Sequence, residues 1–246
     1  MFNYYFESLK NSYKIFNIFE YITFRAASAS IAALIICFFV GPWIIKFLTK
    51  HQIGEEIRSN GPRSHKTKQG TPSMGGFIIL LAALIPTIFF SNLKNPLVQI
   101  IIFSTVWMGA IGFLDDYLKI IKKMKSGLIG RYKMVGQITL SILISYFLII
   151  YSNSSNFDSN ITIPFLKNIK INLGLFYPLM VIFVITGTSN AVNLTDGLDG
   201  LAAGLLAISF TVFSAISYIT GRIDFSNYLN IIYLPDAGEL TIFSAA

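Results

Sequence analysis

The sequence contains few charged residues and a single cysteine. Asp, Glu, Lys and Arg make up 13% of its 246 residues, whereas soluble domains carry about 25%. This shortage, with a mean hydropathy of +0.63, excludes an ordinary soluble domain. It indicates a polytopic membrane protein, in which helices satisfy their own backbone hydrogen bonds. Cys37 lies inside an apolar run, which excludes an intrachain disulfide framework and a cysteine-based metal site.

Long apolar runs occupy most of the sequence. Six of them approach the length of about 20 residues that a transmembrane helix needs, and a seventh run begins at residue 240. The pattern predicts an all-α polytopic membrane protein with six complete transmembrane helices and the start of a seventh, in one domain over residues 1–246. The predicted spans cover residues 22–48, 74–90, 97–114, 134–151, 173–187 or beyond, and 201–219.

The distribution of basic residues predicts how the chain crosses the membrane. Two loops between spans, at 49–73 and 115–133, hold most of the Lys and Arg, and such loops face the cytoplasm. The alternation of spans then places the stretch 190–200 on the cytoplasmic side as well. The same alternation places the polar segment before the fifth span on the periplasmic side. In that segment, apolar and polar side chains alternate over residues 161–164 and 169–172, as in the strands of a short β-hairpin. All the candidate chemistry therefore falls on one face of the membrane.

Arg25 is the only charged residue well inside a predicted span. It lies near the outer end of the first span, from which a long side chain can reach the interface. We therefore expect Arg25 to snorkel toward the membrane surface.

The stretch 190–201 holds the densest cluster of polar groups. A helix starting here would place Asp196 and Asp199 on one face. Gly197 and Gly200 would leave room for a ligand to approach the backbone. A helix cap is the simpler interpretation, but a cap needs only one such side chain, and unpaired charge beside a membrane is costly. The candidate binding residues here are Asn190, Asn193, Asp196 and Asp199.

Two adjacent acids, Asp115 and Asp116, follow the third predicted span. The C-terminus of a helix carries a partial negative charge, so acids there are disfavoured unless a cation compensates them. Mg²⁺ is the ion expected where few carboxylates act together with substrate phosphates. The alternative is that both side chains point into interfacial water. Lys119 and Lys133 are close in the sequence and would attract anions.

The first basic loop combines Lys and Arg with Ser, Thr, Gly and Pro. Its glycines and prolines exclude a continuous helix, and its cations and backbone N–H groups are suited to phosphate. Lys68, beside the turn Gly70-Thr71-Pro72, is the strongest candidate for a phosphate-binding residue. The alternative is a loop that fixes the topology and contacts anionic lipid. The loops together predict phosphoryl transfer at the cytoplasmic face, with Mg²⁺ on the carboxylates and Lys on the phosphates.

Three motifs carry a resemblance to a known family. Their residues are Gly61-Pro62, His65, Lys68-Gln69-Gly70-Thr71-Pro72 and Met74-Gly75-Gly76 in the first loop, then Asp115-Asp116-Tyr117, then the run 190–201. At these residues the sequence resembles the polyprenyl-phosphate N-acetylhexosamine-1-phosphate transferase superfamily, glycosyltransferase family 4. The first loop makes the resemblance greatest to the phospho-N-acetylmuramoyl-pentapeptide transferases within it. Ser73 stands where that family often has Thr, and the serine retains the side-chain hydroxyl.

The resemblance implies a bacterial inner-membrane enzyme with ten spans, usually a homodimer. It implies transfer of phospho-MurNAc-pentapeptide from UDP-MurNAc-pentapeptide to undecaprenyl phosphate, which yields lipid I and UMP with Mg²⁺ as cofactor. This reaction is the first membrane step of peptidoglycan synthesis, on which cell-wall biogenesis, cell shape and cell division depend.

The resemblance also implies a role for each motif residue. Asp115 would deprotonate the lipid phosphate, and Asp116 would support the metal or phosphate site, so both are predicted catalytic residues and metal ligands. Lys119 and Lys133 would lie near the phosphates. Direct attack by the lipid phosphate and a covalent Asp intermediate both remain open. The nucleotide-sugar site would be lined by Lys68, Asn190, Asn193, Asp196 and Asp199.

The family's third essential Asp, a magnesium ligand, and its His-rich motif belong to a later cytoplasmic loop. In this sequence both would fall after Ala246, where the seventh apolar run is still incomplete. We therefore expect a C-terminally truncated chain that is inactive alone. Lipid I formed by the purified 246-residue chain would refute this expectation.

Three other functions fit parts of the sequence. A sibling transferase would use UDP-GlcNAc and start another envelope polymer, and a swap of UDP-sugar donors would distinguish it. A transporter or channel would also place acids in a helical bundle, but near the bilayer midplane on broken helices. A truncated remnant would bind lipid or nucleotide without catalysis. The net charge of +7 is interpreted as membrane topology, and no nucleic-acid partner is predicted.

Overall fold

The computed structural model describes residues 14–50, 74–122, 124, 127–154, 160–162, 170–198 and 200–246. Over these residues the chain forms α-helices joined by turns, with one two-stranded sheet. The helices are α1 (Ile22–Lys50), α2 (Gly76–Phe90), α3 (Pro96–Ile120), α4 (Gly130–Ser154), α5 (Tyr177–Thr195), α6 (Leu201–Thr220), α7 (Ile223–Leu229) and α8 (Leu240–Ala245). Segments of 3₁₀-helix cover Lys14–Glu20, Gly174–Phe176 and Pro235–Glu239.

Five helices are long and apolar enough to cross a membrane, namely α1, α3, α4, α5 and α6. The α2 helix is apolar as well, but its 15 residues span only about 22 Å at the rise of an α-helix. Large apolar side chains are exposed along all of these helices, as expected of surfaces that face lipid. The molecule is a multi-pass membrane protein, and the predicted all-α polytopic fold is confirmed.

The predicted hairpin is also present. Strands β1 (Asn160–Thr162) and β2 (Lys170–Asn172) pair antiparallel, with Ile161 opposite Ile171. The alternation of apolar and polar side chains in this segment therefore identified both strands correctly.

Several helix ends differ from the predicted spans. The α3 helix continues to Ile120 instead of ending at 114, and α4 begins at Gly130 instead of 134. The segment 221–238, which lies between the predicted spans, contains α7 and most of a 3₁₀ segment. Hydropathy marks the part of a helix that lies in hydrocarbon, whereas the backbone hydrogen bonds continue into the polar flanks.

Successive long helices run antiparallel, so the bundle has two polar ends. The rings of Phe77 and Phe113 are 5.4 Å apart at their centroids, which places the start of α2 beside the end of α3. At the other end, the Arg25 guanidinium donates to the Phe90 carbonyl oxygen over 3.0 Å, which joins the start of α1 to the end of α2. We call these two ends the Asp115 end, where α3 is joined to α4 and α5 to α6, and the Arg25 end, with the turns 91–95 and 221–239.

The interior of the Arg25 end consists mainly of small side chains. Ala26 and Ala29 of α1 pack against Ile242 of α8, which is fully buried. Small residues let membrane helices approach closely. Gly221 and Gly238 also allow a close approach, here between two backbone segments. A Cβ added at Gly221 would lie 2.6 Å from the Cα of Gly238. The short α8 helix is thereby held against both α1 and α6.

Arg25 does not snorkel, so that expectation was wrong. The residue is only 6% exposed, and its guanidinium donates to both carboxylate oxygens of Glu239, at 2.9 Å and 2.6 Å. The same carboxylate accepts from the backbone N–H of Asn92 at 2.7 Å. A charge in a membrane helix is costly without a partner, and this bidentate pair supplies one. The sequence alone does not reveal this partner, because Glu239 lies 214 residues away from Arg25.

Neutralising Glu239 should destabilise the fold far more than neutralising an exposed acid. Glu239→Gln leaves Arg25 charged and buried, so we expect it to lower the free energy of unfolding by about 3–5 kcal/mol. Asp224→Asn is the matched control, because the Asp224 side chain is 77% exposed in its 3.7 Å pair with Arg222. Exposed pairs contribute about 0–1 kcal/mol. Unfolding of the purified variants in detergent measures the difference.

A double variant tests the same pair from the other side. Arg25→Met combined with Glu239→Leu removes both charges, and we expect it to recover most of the stability that Glu239→Gln loses. Equal stability of Glu239→Gln and Asp224→Asn would show that the buried pair contributes no more than the exposed one.

Candidate functional site

The carboxylate of Asp115 is buried at the Asp115 end of the bundle. The residue is 8% exposed and lies near the end of α3. Its Oδ2 accepts from Nζ of Lys119 at 2.9 Å and from Nζ of Lys133 at 2.8 Å. Its Oδ1 accepts from the backbone N–H of Leu128 at 2.8 Å. A buried carboxylate is tolerated only when its charge is compensated, and two ammonium groups and one amide do so here.

Local structure explains how these donors reach Asp115. Lys119 is four residues further along α3 and therefore lies on the same helix face. Lys133 belongs to the first turn of α4, and the chain reverses its direction between α3 and α4. Gly127 makes the reversal with φ at +59°, a conformation that glycine adopts without strain.

The structure corrects one expectation about the acidic pair and shows which cations lie beside Asp115. Asp115 and Asp116 do not end their helix, because α3 continues for one more turn to Ile120. The positive charge expected beside them comes, at Asp115, from Lys119 and Lys133 of the chain itself. Asp116 is partly buried and, as the next residue on a helix, projects from a different side of α3.

The donor set at the two acids is compatible with a hard divalent cation. Mg²⁺ prefers carboxylate oxygens, and a carboxylate offers about four acceptor positions, of which Asp115 uses three. Within the described ranges, no three His, Cys, Asp or Glu side chains group together. A metal at this point would therefore need further ligands from a bound phosphate or from residues outside those ranges.

A second polar cluster lies one helix turn from Lys133. Asn190, near the end of α5, donates through Nδ2 to Oε1 of Gln137 at 3.0 Å and to the Thr186 carbonyl oxygen at 2.8 Å. Gln137, on α4, is 5% exposed and donates through Nε2 to Oγ of Ser189 at 3.0 Å. Gln137 was not among the residues predicted from the sequence. The available signal was an amide side chain four positions after Lys133 in a mainly apolar helix.

No helix begins among the described residues of 190–200, and α6 starts at residue 201, where the sixth span was predicted to start. The α5 helix continues to Thr195, Asp196 follows at its C-terminal cap, and α6 begins only at Leu201. No glycine or proline occurs in residues 188–195, so the helix persists, and the chain then turns through Gly200 at φ +79°. The motif therefore ends one helix and forms a turn before the next.

Of the remaining predicted site residues, the structure describes two and leaves two outside the described ranges. Asn193 lies three residues after Asn190, on the same side of α5, and both it and Asp196 are exposed at the Asp115 end. Lys68 and Asp199 lie outside the described residues.

Helix α4 connects the two clusters. Lys133 and Gln137 are four residues apart and so share a face of α4. Lys133 contacts α3 through Asp115, whereas Gln137 contacts α5 through Asn190. The Trp107 indole N–H donates to the Gly136 carbonyl oxygen at 3.0 Å, which holds α3 and α4 together beside both clusters. The structure thus brings an acid, two lysines and an amide pair to one end of the bundle.

Comparison with known proteins identifies the family. The sequence model of glycosyl transferase family 4 matches residues 98–238, which is more than half of the chain. The chain belongs to glycosyl transferase family 4. The matched segment of this family 4 chain contains every predicted site residue except Lys68. The resemblance inferred from the motifs is thereby confirmed, and a transporter or channel loses its support.

Individual relatives share the name phospho-N-acetylmuramoyl-pentapeptide-transferase. The one from Chloroherpeton thalassium is 44% identical over 229 residues, covering 93% of this chain and 62% of the relative. The one from Desulfosudis oleivorans is 44% identical over 231 residues, covering 94% and 64%. The one from Thermodesulfovibrio yellowstonii is 45% identical over 231 residues, covering 94% and 63%. The family 4 chain therefore spans less than two thirds of the length of these relatives.

A methyl group added at Gly127 should disturb the Asp115 cluster. A Cβ there would lie 2.5 Å from Oδ1 of Asp115 and 2.6 Å from Cε of Lys119. The positive φ adds strain for any other residue, and together we expect Gly127→Ala to lower stability by about 1–3 kcal/mol.

The control for Gly127→Ala is Gly130→Ala, because nothing lies within 4 Å of a Cβ at Gly130. We expect Gly130→Ala to unfold in detergent at or above the temperature of the unmodified protein, since alanine favours a helix. Equal unfolding temperatures of the two variants would contradict the close contact between Gly127 and Asp115.

Proposed function

We propose that this protein transfers phospho-MurNAc-pentapeptide from UDP-MurNAc-pentapeptide to undecaprenyl phosphate. An oxygen of the lipid phosphate would form a bond to the sugar-bearing phosphorus, the pyrophosphate bond to UMP would break, and lipid I would result. The observation that carries the proposal is the buried Asp115 carboxylate, held by two lysines in a family 4 chain. Relatives 44% and 45% identical to it carry the name of this transferase.

The chemistry of the site residues suggests their roles. Asp115 would accept a proton from the lipid phosphate, as a positioned general base does. Lys119 and Lys133 would attract the phosphates of both substrates through charge-assisted hydrogen bonds. Asp115 and Asp116 would contribute oxygen ligands to Mg²⁺, which when bound neutralises charge on a reacting pyrophosphate. The residues proposed to face the nucleotide sugar are Lys68, Asn190, Asn193, Asp196 and Asp199.

We propose the cytoplasmic face of a bacterial inner membrane as the place of the reaction. Loops at the Asp115 end hold most of the Lys and Arg, which supports a cytoplasmic orientation by the positive-inside rule. A water-soluble nucleotide donor and a lipid acceptor would meet at such a surface. A homodimer is proposed only by resemblance to the family.

A donor swap tests the proposed function. Membranes from cells that express the protein from its complete coding region are supplied with undecaprenyl phosphate and either UDP-MurNAc-pentapeptide or UDP-GlcNAc. We expect UMP release and a lipid product only with the first donor, abolished by EDTA and restored by Mg²⁺. Transfer from UDP-GlcNAc alone would instead establish the sibling activity, and transfer from neither donor would overturn the proposal. Activity that persists in EDTA would exclude the proposed Mg²⁺.

Replacing the candidate base tests the role of Asp115. Asp115→Asn keeps an oxygen to accept from Leu128 but removes the proton-accepting carboxylate, so we expect kcat to fall by at least about 100-fold. Asp224→Asn at the Arg25 end is the control and should leave kcat unchanged, because Asp224 is exposed and far from the cluster. Similar kcat values for these two variants would exclude Asp115 as the base.

A further inference from the structure

Gln137 is a buried polar residue to which the proposed reaction assigns no role. We propose that it positions Asn190, so that the side-chain oxygen of Asn190 is presented to the ligand as a hydrogen-bond acceptor. The ligand's identity as a UDP-sugar donor rests on the proposed function. Gln137 is thus a positioning residue, which acts through Asn190.

The neighbours of Asn190 determine the orientation of its amide. The Thr186 carbonyl oxygen can only accept, so the atom 2.8 Å from it must be the Asn190 amide nitrogen. The second hydrogen of that nitrogen points to Oε1 of Gln137 at 3.0 Å. Both donors of Asn190 are therefore used. Within the described part of the chain no donor reaches its Oδ1, and the residue is exposed. Asn190 offers a ligand an acceptor and no donor.

Gln137 is itself fixed at both ends of its amide. The Asn190 amide nitrogen can only donate, so the Gln137 atom 3.0 Å from it is Oε1, and Nε2 of Gln137 then donates to Oγ of Ser189 at 3.0 Å. The side chain is nearly inaccessible to solvent, with the residue 5% exposed, so it has few alternative conformations. A polar group held in this way keeps its neighbour in one orientation before the ligand arrives.

The position of Gln137 on α4 relates Asn190 to the reacting acid. Lys133, which binds Asp115 at 2.8 Å, lies on the same face of α4, four residues and about 6 Å away along the helix axis. One face of α4 therefore contacts both Asp115 on α3, through Lys133, and Asn190 on α5, through Gln137. We infer that the donor spans this distance, with its phosphates near the lysines and a hydroxyl or N–H group on Asn190.

The alternative role of Gln137 is to join α4 to α5 without affecting the ligand. Side-chain hydrogen bonds between membrane helices stabilise such contacts. A joining role predicts lower stability and unchanged KM when Gln137 is lost. The positioning role predicts a higher KM for the UDP-sugar donor while kcat and the unfolding temperature are retained.

A double-mutant cycle in the complete protein separates these roles. We expect Gln137→Leu to raise KM for UDP-MurNAc-pentapeptide by about 3- to 10-fold, as loss of one hydrogen bond would. Asn190→Ala should raise KM at least as much. The double variant should match Asn190→Ala alone, because residues that act through one another are not additive.

Ser141→Ala is the matched control for Gln137→Leu. Ser141 is buried one turn further along the same face of α4, and its hydroxyl donates to the Gln137 backbone oxygen of its own helix at 2.7 Å. We expect this variant to retain both KM and kcat. A KM increase in Ser141→Ala equal to that in Gln137→Leu would overturn the proposal, because any change on this face would then suffice.

A shorter amide provides a second variant if Gln137→Leu folds poorly. Gln137→Asn keeps a polar amide in the helix but is one methylene too short to hold Asn190, so we expect the same rise in KM. A wild-type KM in Gln137→Asn, or additive losses in the double variant, would overturn the inference alone. A wild-type protein that transfers from neither UDP-MurNAc-pentapeptide nor UDP-GlcNAc would overturn the proposed function and the inference together.

Discussion

Compensation of the buried Asp115 carboxylate is the constraint on which the functional end of this protein depends. The acid sits in an apolar helix, where an isolated charge is unfavourable. Its bonds to Lys119, Lys133 and the Leu128 amide come from three successive parts of the chain. These bonds therefore determine how α3 ends, how the following turn reverses and where α4 begins. Compensation by fixed groups also leaves the acid in one orientation, as electrostatic preorganisation requires.

At the Arg25 end of the bundle, a buried charge is also compensated, by a different pair of residues. Arg25 and Glu239 neutralise each other, and Asn95 adds a second link by donating to the Asp236 carbonyl oxygen at 2.8 Å. Between the two ends, the long helices carry mainly apolar side chains. The charges of the described bundle are thus concentrated where each helix enters or leaves the membrane. A binding site for a polar donor and a lipid acceptor can then form at one end without disturbing the apolar middle.

The sequence predicted well those features that depend on neighbouring residues. Hydropathy located the spans, alternation located the hairpin, and the spacing of Lys119 from Asp115 is that of adjacent helix turns. Predictions that depended on charge without a known partner were less successful. Arg25 was expected at the surface, and α3 was expected to end at the acidic pair. Both expectations failed because hydropathy and charge do not reveal which distant group will compensate a residue, or where backbone hydrogen bonding will stop.

The sequence by itself determined that this is a helical membrane protein, and its acidic and Asn-rich motifs determined its family. Only the tertiary structure decided which groups meet: Lys133 with Asp115 across 18 positions, Gln137 with Asn190 across 53, and Arg25 with Glu239 across 214. The physical reason is that local patterns act over a few residues of one helix. Contacts between helices depend instead on how whole faces pack, which brings together residues with no fixed separation along the chain.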